Sequence, residues 1–393
     1  MLKPVYFDYM STTPLDPAVV SKMCEFLQDT QSFGNPASNT HCFGWQAMQY
    51  VQLARQQVAQ LIHADANEIV FTSGATESNN LAIKGALDIY RRKGRHIVTM
   101  STEHKAVLDV CCYLQSQGYS VTFLDPEPGG VLSLDKFADA LREDTVLASI
   151  MHVNNETGVQ QDIQALAQIA HQRGVLFHSD CAQSAGKIPL DVNALGVDLM
   201  SLSAHKLYGP KGVGALYVRR QPRVRLSQQM HGGGQESGMR SGTLPTHQII
   251  GMGEAFRVAE TQIASSMERL TQLRDQLWQG IQSVGGVNLH GDLAHMLPNC
   301  LNLSFDGTHA DSLLLALRDL ALSSGSACSS ANPQPSHVLL AMGVSPEEAN
   351  RSVRMSIGRF TTQEQVEFAV KLVKEKITRL RAFSAKGRHC NAR

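Results

Sequence analysis

Neither sign of charge is in excess in this sequence, where 35 Lys and Arg balance 35 Asp and Glu over 393 residues. A neutral chain has no long-range field to gather nucleic acid or an anionic membrane, so neither is expected as a direct partner. Long hydrophobic runs are also missing, and no stretch reaches the ~18 uninterrupted apolar residues of a membrane span. The opening stretch, MLKPVYFDYMSTTPLDP, has no basic segment followed by an apolar one, which predicts a chain not marked for export and a cytoplasmic location. The cysteines (Cys24, Cys42, Cys111, Cys112, Cys181, Cys300, Cys328 and Cys390) include no Cys-x-x-Cys pair. Their scatter argues against a disulfide framework and a structural zinc, so reduced thiols and no metal are expected. Internal repeats and low-complexity tracts are lacking too. What is present, 43% hydrophobic and 18% charged residues, describes a soluble globular protein with a large core. The length suggests roughly two to three domains.

From about residue 45 to 255, short β-branched runs alternate with amphipathic ones, the pattern of a mainly parallel sheet covered by helices. Strands are expected at Glu68–Thr72, His96–Met100, Ser120–Leu124, Thr145–Met151, Val175–His178, Leu199–Leu202 and Gly214–Val218. Helical spacing marks Glu77–Arg92, Lys105–Gln117 and Ile163–Arg173, each followed by a glycine suited to a C-cap (Gly94, Gly118, Gly174). A long polar amphipathic helix through Met267, Leu270, Leu273 and Leu277 opens a stretch of different character. The expected organisation is a large α/β domain over residues 15–255 and a smaller α+β domain from residues 1–14 and 256–393. The last helix is expected over Glu364–Leu380, with a frayed polar tail beyond it.

Ligands of a parallel α/β sheet bind beyond the carboxyl ends of its strands, so the residues there are the first candidates. TSGATESNN (72–80) follows the first strand and offers Ala75 and Thr76 at a helix start, either as an anion site or as an ordinary N-cap. STEHKAVLD places His104 at the next such junction, where a structural role is equally open. In HSDCAQSAG, Asp180 and Gln183 sit on the turn leaving the sheet; the aspartate either caps a helix or keeps a heterocyclic nitrogen protonated. SLSAHKLYGPKG brings Ser203, His205 and Lys206 to the same edge, where a partly desolvated lysine amine suits capture of an aldehyde. An anion site, an aspartate and a lysine on one edge fit a phosphorylated pyridine aldehyde, pyridoxal 5′-phosphate. Finally, LSSGSACSSANPQPSH surrounds Cys328 with small polar residues. That composition reads as an exposed loop carrying a nucleophilic thiol, about residues 323–335, rather than as a core cysteine.

TSGATESNN, TEHKAVLD, IMHVNNETG, SAHKLYGPKGVGALYVRR, HGGGQESGMRSGT, SSGSACSS and SVRMSIGRFTT, in this order, resemble the pyridoxal-phosphate-dependent cysteine desulfurases of the NifS/IscS type, in particular the housekeeping iron-sulfur-cluster branch. The resemblance extends from Tyr6 to about Arg381. It implies the class V aminotransferase fold (fold type I), a homodimer, and conversion of L-cysteine to L-alanine with sulfur passed to a cysteine persulfide. By motif, Lys206 would carry the cofactor, His104 would stack on its ring and donate a proton, Asp180 would meet the ring nitrogen and Gln183 the phenolic oxygen. Ala75, Thr76, Ser203 and His205 would hold the phosphate, with Thr243 from the other subunit. Arg354 and Asn155 would bind the substrate carboxylate, and Cys328 would accept the sulfur. The implied partners are an iron-sulfur scaffold protein, other sulfur acceptors including a tRNA-thiolating one, and acidic proteins of ferredoxin or frataxin type.

The chain departs from the family pattern at Met10, Ser11, Cys181 and Ser237, and in its tail after Arg381. The changes at Met10, Ser11 and Cys181 remove no functional group, whereas Ser237 stands where the family commonly has an arginine and the tail does not resemble the longer end with which the housekeeping branch docks its scaffold. Arg219, Arg220, Arg223 and Arg225 form a basic cluster that either attracts acidic proteins or is simply a solvated strand end. Burial is the expectation for Cys111, Cys112 and Cys181.

Overall fold

The computed structural model describes residues 3–324 and 334–390, so Cys328 lies outside the described residues. In chain order the strands are β1 Val5–Tyr6, β2 Ile69–Thr72, β3 His96–Met100, β4 Ser120–Leu124, β5 Thr145–Ser149, β6 Leu176–Asp180, β7 Leu199–Ser203, β8 Gly214–Val218, β9 Val287–Leu289, β10 Cys300–Phe305, β11 Leu320–Ala321, β12 Ser323–Ser324 and β13 Ser352–Ser356. Seven of them form one sheet in the order β2-β8-β7-β6-β5-β3-β4. From β7 through β6, β5 and β3 to β4 every pairing is parallel, whereas β8 is antiparallel to both its neighbours. The connection from β7 to β8 turns at Gly209-Pro210 and is too short for a helical crossover, so the chain returns antiparallel.

Alternate residues of each strand feed cores on opposite faces of this sheet. Val70, Ile97, Leu147, Leu199 and Leu216 pack under the helices Ala75–Tyr90 and Lys105–Ser116. Their sequence neighbours Phe71, Val98, Ala148, Met200 and Ala215 pack on the other face, with residues of Cys42–Leu61 and Ile163–Gln172. Phe71 and Phe177 are each no more than 1% exposed. Burying such a side chain contributes about 1.5–3 kcal/mol.

A second, antiparallel sheet has the order β12-β13-β10-β9 and its own core around Leu301, Leu303, Phe305, Val353 and Met355. The amino-terminal strand β1 pairs in parallel with β11, placing Phe7 in that core. One helix, Thr246–Gln282, serves both cores: Ile249, Met252, Phe256 and Ala259 belong to the first, Leu273, Leu277 and Ile281 to the second. The 255/256 division therefore falls inside a continuous helix. Gly251 and Gly253 obscure its beginning in the sequence. They are small because neighbours press on them: a Cβ on Gly253 would lie 2.6 Å from Ala54 Cα.

Several sequence-based boundaries move. β6 and β7 run through Asp180 and Ser203, so these two end their strands rather than open the following turns. β5 ends at Ser149, not Met151. Gly118 and Gly174 sit at left-handed φ of 84° and 64° after their helices, but Gly94 does not; a Cβ there would meet the Asp144 carbonyl oxygen. The final helix spans Gln363–Cys390, beyond the expected end at Leu380, since nothing after Arg381 but Gly387 opposes a helix.

Residues 231–243 return to the edge strand β2 through one buried ion pair. Arg55 Nη1 and Nη2 both donate to the Glu236 carboxylate at 2.7 Å, and the same carboxylate accepts from Phe71 N at 2.6 Å. Glu236 and Ser237 hold left-handed φ of 49° and 57°, which this anchor sustains. Replacing Arg55 by Met strands a buried carboxylate, and urea unfolding should show a loss of about 3–5 kcal/mol; adding Glu236→Gln should recover part of it.

Candidate active site

The carboxyl ends of β2, β3, β5, β6 and β7 meet at a cavity of about 490 Å³. Met10 and Ser11 of the amino-terminal segment and Ser323, Ser324 and Arg354 of the second sheet complete its wall. Ala75, Thr76, His104, Asn155, Asp180, Gln183, Ser203, His205, Lys206 and Arg354 all line this one space, although they are spread over 280 positions of sequence.

The helix Ala75–Tyr90 begins at the cavity with Gly74 as its N-cap, so no side chain caps its first turn. Thr76 is the second helical residue and not the cap, which leaves first-turn N–H groups available to an anion. Ser203 ends β7 beside them, and His205 follows. Burial, reinforced by the charges of Lys206, Lys211 and Lys187, pushes His205 down to about 4, so it is a neutral hydrogen-bonding group. Glu77 adds little negative charge here. Burial alone would raise its carboxyl, but bonds from Arg240 and Ser73 hold it below the usual range and paired.

Asp180 is buried with both oxygens engaged. Asn79 Nδ2 donates to Oδ2 at 2.7 Å and Ala182 N to Oδ1 at 2.9 Å, so the carboxylate both caps its turn and is oriented from a helix. Lys206 Nζ donates to the carbonyl oxygens of Met10 and Ser11, both at 2.7 Å. His104 is the N-cap of Lys105–Ser116, and its Nδ1 accepts from Ala106 N at 3.0 Å. Burial, with Lys206 and His337 nearby, lowers its pKa. It is therefore a neutral imidazole with its proton on Nε2; an imidazolium would forfeit the cap.

Arg354 lies on β13 and reaches across to the large sheet. Nη1 donates to Asn155 O at 2.5 Å, while Nη2 donates to Asp8 Oδ1 at 2.7 Å and Ser323 Oγ at 2.9 Å. Among the described residues, its Nε and Asn155 Oδ1 are both buried without a partner. Orphaned polar groups at a cavity wall mark where a polar ligand completes the bonding. An uncapped helix start, a lysine, a fixed carboxylate and these orphans fit a phosphorylated, aldehyde-bearing aromatic ring together with an amino acid carboxylate. Asp8, Met10 and Glu156 were not legible as site residues. Asp8 is joined to Arg354 only by the fold, and the Met10 contribution is a backbone carbonyl.

Thr243, expected from the other subunit, does not line this chain's own cavity. Thr243 is exposed and lines a separate hollow with Gly233, Gln235 and Glu236. Cys328 lies outside the described residues. Burial pushes Cys111, Cys181 and Cys300 up to about 12, so none of them supplies a thiolate. Cys112, expected to be buried, is exposed on the solvent face of its helix. Of the basic cluster, Arg219 is committed to Asp198 at 3.2 Å, whereas Arg220, Arg223 and Arg225 are exposed. Among the described residues no cluster of His, Cys, Asp and Glu could hold a metal ion. No described helix is long and apolar enough to cross a membrane.

Comparison with known proteins gives a consistent result. The family model for aminotransferase class-V matches residues 5–368. Cysteine desulfurase IscS of Escherichia coli (strain K12 / DH10B) is 56% identical over 384 residues, covering 98% of this chain and 95% of that protein. Among solved structures, a NifS-like protein superposes with a TM-score of 0.88 at 35% identity, covering 95% of this chain and 99% of the other. SspA in complex with cysteine superposes with a TM-score of 0.81 at 38% identity, covering 91% and 100%.

Buried histidines make this fold sensitive to acid. His178, bridging Ser149 and Ser201, and His152 are both pushed by burial from 6.5 to about 4. Between those values the unfolded chain binds more protons than the folded one, so stability is full above pH 6.5 and declines as the pH falls toward 4. Each histidine contributes a slope of about 1.4 kcal/mol per pH unit. Urea unfolding at a series of pH values should show this decline, and His178→Asn should flatten it.

Proposed function

The chain belongs to the class-V aminotransferase family, and from that premise we propose that it is a pyridoxal-phosphate-dependent cysteine desulfurase, converting L-cysteine to L-alanine and handing the sulfur to other proteins. The observation that carries the reading is the convergence of Lys206, Asp180 and the uncapped start of helix Ala75–Tyr90 on one cavity. Bound there, pyridoxal phosphate supplies an aldehyde that an amine can capture and a ring that withdraws electrons from the substrate.

The residues divide the work by position. The first-turn N–H groups of Ala75 and Thr76, with Ser203 and His205, hold the phosphate. Asp180 would meet the ring nitrogen, Gln183 the phenolic oxygen, and His104 would stack on the ring. Lys206 would carry the cofactor, and its side-chain amine would take the proton from the substrate Cα. Arg354 and Asn155 hold the substrate carboxylate, for which Arg354 Nε and Asn155 Oδ1 are the orphaned atoms. An ionised carboxylate accepts only from N–H groups, so Asn155 would turn its amide to donate. His104 in its neutral form lends the Nε2–H as a donor to the reacting groups.

Cys328, as thiolate, attacks the substrate sulfur. The new S–S bond forms as the substrate Cβ–S bond breaks, Cβ receives a proton, and alanine leaves the persulfide on Cys328. The described chain runs toward this residue from Ser323 and Ser324 in the cavity wall. Thr243, exposed and outside this chain's own cavity, suits a role in the cavity of a second copy, and the functional unit is a homodimer. The persulfide sulfur goes to an iron-sulfur scaffold and to other acceptors, including tRNA thiolation. The exposed Arg220, Arg223 and Arg225 provide a surface for acidic proteins of ferredoxin or frataxin type. The location is cytoplasmic.

Single-turnover reaction with L-cysteine tests the assignment. Lys206→Ala should lose both the visible colour of the cofactor and alanine formation. Cys328→Ala should keep the colour but form no protein persulfide. Unchanged persulfide in Cys328→Ala would remove that residue as the acceptor.

A further inference from the structure

Lys187 has no role in the scheme above, yet it is seated against the site. It lies on the turn that follows β6, and its Nζ donates to Gln183 Oε1 at 2.7 Å. Gln183 Nε2 donates in turn to the Met10 carbonyl oxygen at 2.9 Å, the same oxygen that accepts from Lys206 Nζ at 2.7 Å. An amide with indifferent neighbours can sit either way round. Here the Lys187 amine, charged below about pH 7, fixes the oxygen and a carbonyl fixes the nitrogen. Reversal would put N–H against ammonium and oxygen against carbonyl. Gln183 is 4% exposed, so water does not soften that conflict. Its second Nε2–H remains for a ligand in the cavity.

The turn itself has little freedom. Gly186 holds a left-handed φ of 66°, and a Cβ there would lie 2.1 Å from Leu207 Cδ1, so the turn is pressed against the residue that follows Lys206. The charged and titratable groups facing Lys187 are Lys206, Arg354 and the Cys300 thiol. Burial first, then the charge of Lys206, pushes Lys187 down to about 7.

We propose that Lys187 is a positioning residue for the reaction, which pins Gln183 Oε1 so that the Gln183 amide presents only N–H to the phenolic oxygen of the bound cofactor. The proposal rests on the reading that Gln183 meets that oxygen. Without the pin, Gln183 can offer its own oxygen instead. A lost donor leaves the phenolic oxygen more basic, so the pH midpoint of the cofactor's visible absorption rises and the cofactor binds less tightly.

Two readouts on Lys187→Met, Lys187→Arg, Gln183→Ala and the Lys187→Met/Gln183→Ala double variant test this: the absorption midpoint of the holoenzyme, and the dissociation constant for pyridoxal phosphate on reconstitution. Lys187→Met and Gln183→Ala should each raise the midpoint by about half a unit to one unit and weaken binding roughly three- to tenfold, as expected for one hydrogen bond. Lys187→Arg should restore both values, and the double variant should match Gln183→Ala alone. A midpoint that moves in Gln183→Ala but not in Lys187→Met overturns the role of Lys187 and leaves the Gln183 contact standing. A Lys187→Met shift that persists in the Gln183→Ala background shows that the lysine acts by charge alone, and also overturns positioning. If neither variant moves the midpoint, the Gln183 contact itself is wrong and the proposal falls with it.

Discussion

Arg354 is the clasp on which the site depends. A guanidinium taken out of water needs partners for its donors, and here Nη1 and Nη2 find them on three distant stretches of chain: Asp8 near the beginning, the Asn155 carbonyl beyond β5, and Ser323 of β12. Each bond fixes one wall of the cavity relative to another. The pairing of β1 with β11 brings Asp8 near, and the antiparallel pairing of β13 with β12 sets Ser323 opposite Arg354. Without the cation, Asp8 would be left a poorly solvated carboxylate with no ionic partner, and the second sheet would lose one of its polar ties to the loop beyond β5.

The same economy of contacts joins the amino-terminal segment to Lys206. Met10 and Ser11 supply carbonyl oxygens to Lys206, and Met10 also accepts from Gln183. Because these are backbone atoms, side-chain identity at positions 10 and 11 matters little to the interaction. That explains physically why departures from the family pattern at Met10 and Ser11 cost no functional group.

Much of the large sheet was legible because each strand is both short and apolar on two faces, and because residues that end a strand carry chemistry. The alternation of Val70 with Phe71, or of Ile97 with Val98, needs two helical layers, so the α/β class followed directly. Gathering Ala75, His104, Asp180 and Lys206 in one place followed from the rule that parallel strands point the same way. What escaped were features set by tertiary contact. Gly251 and Gly253 look like helix breakers until Ala54 and Met23 are seen pressing on them. Gly94 looks like a cap until the Asp144 backbone appears beside it. The Asp8–Arg354 pair has no local signal at all, since the partners are 346 positions apart.

Burial keeps the histidines of the cavity neutral, and the charge pattern around them reinforces it. Lys206, Lys187, Lys211 and Arg354 bring several cations to one partly buried space, and the nearby carboxylates are mostly committed: Asp8 to Arg354, Glu77 to Arg240, Asp180 to Asn79 and its own turn. A proton on His104 or His205 would add to that repulsion at a desolvated site, and both therefore sit below the ordinary histidine value. Such a cavity is prepared for a ligand that brings negative charge of its own. A phosphate at the helix start and a substrate carboxylate at Arg354 would each relieve the excess, so binding energy is available at both with little more than the turn of the Asn155 amide. His104, its Nδ1 held by the Ala106 N–H, is then left with Nε2–H as a donor toward a bound anion.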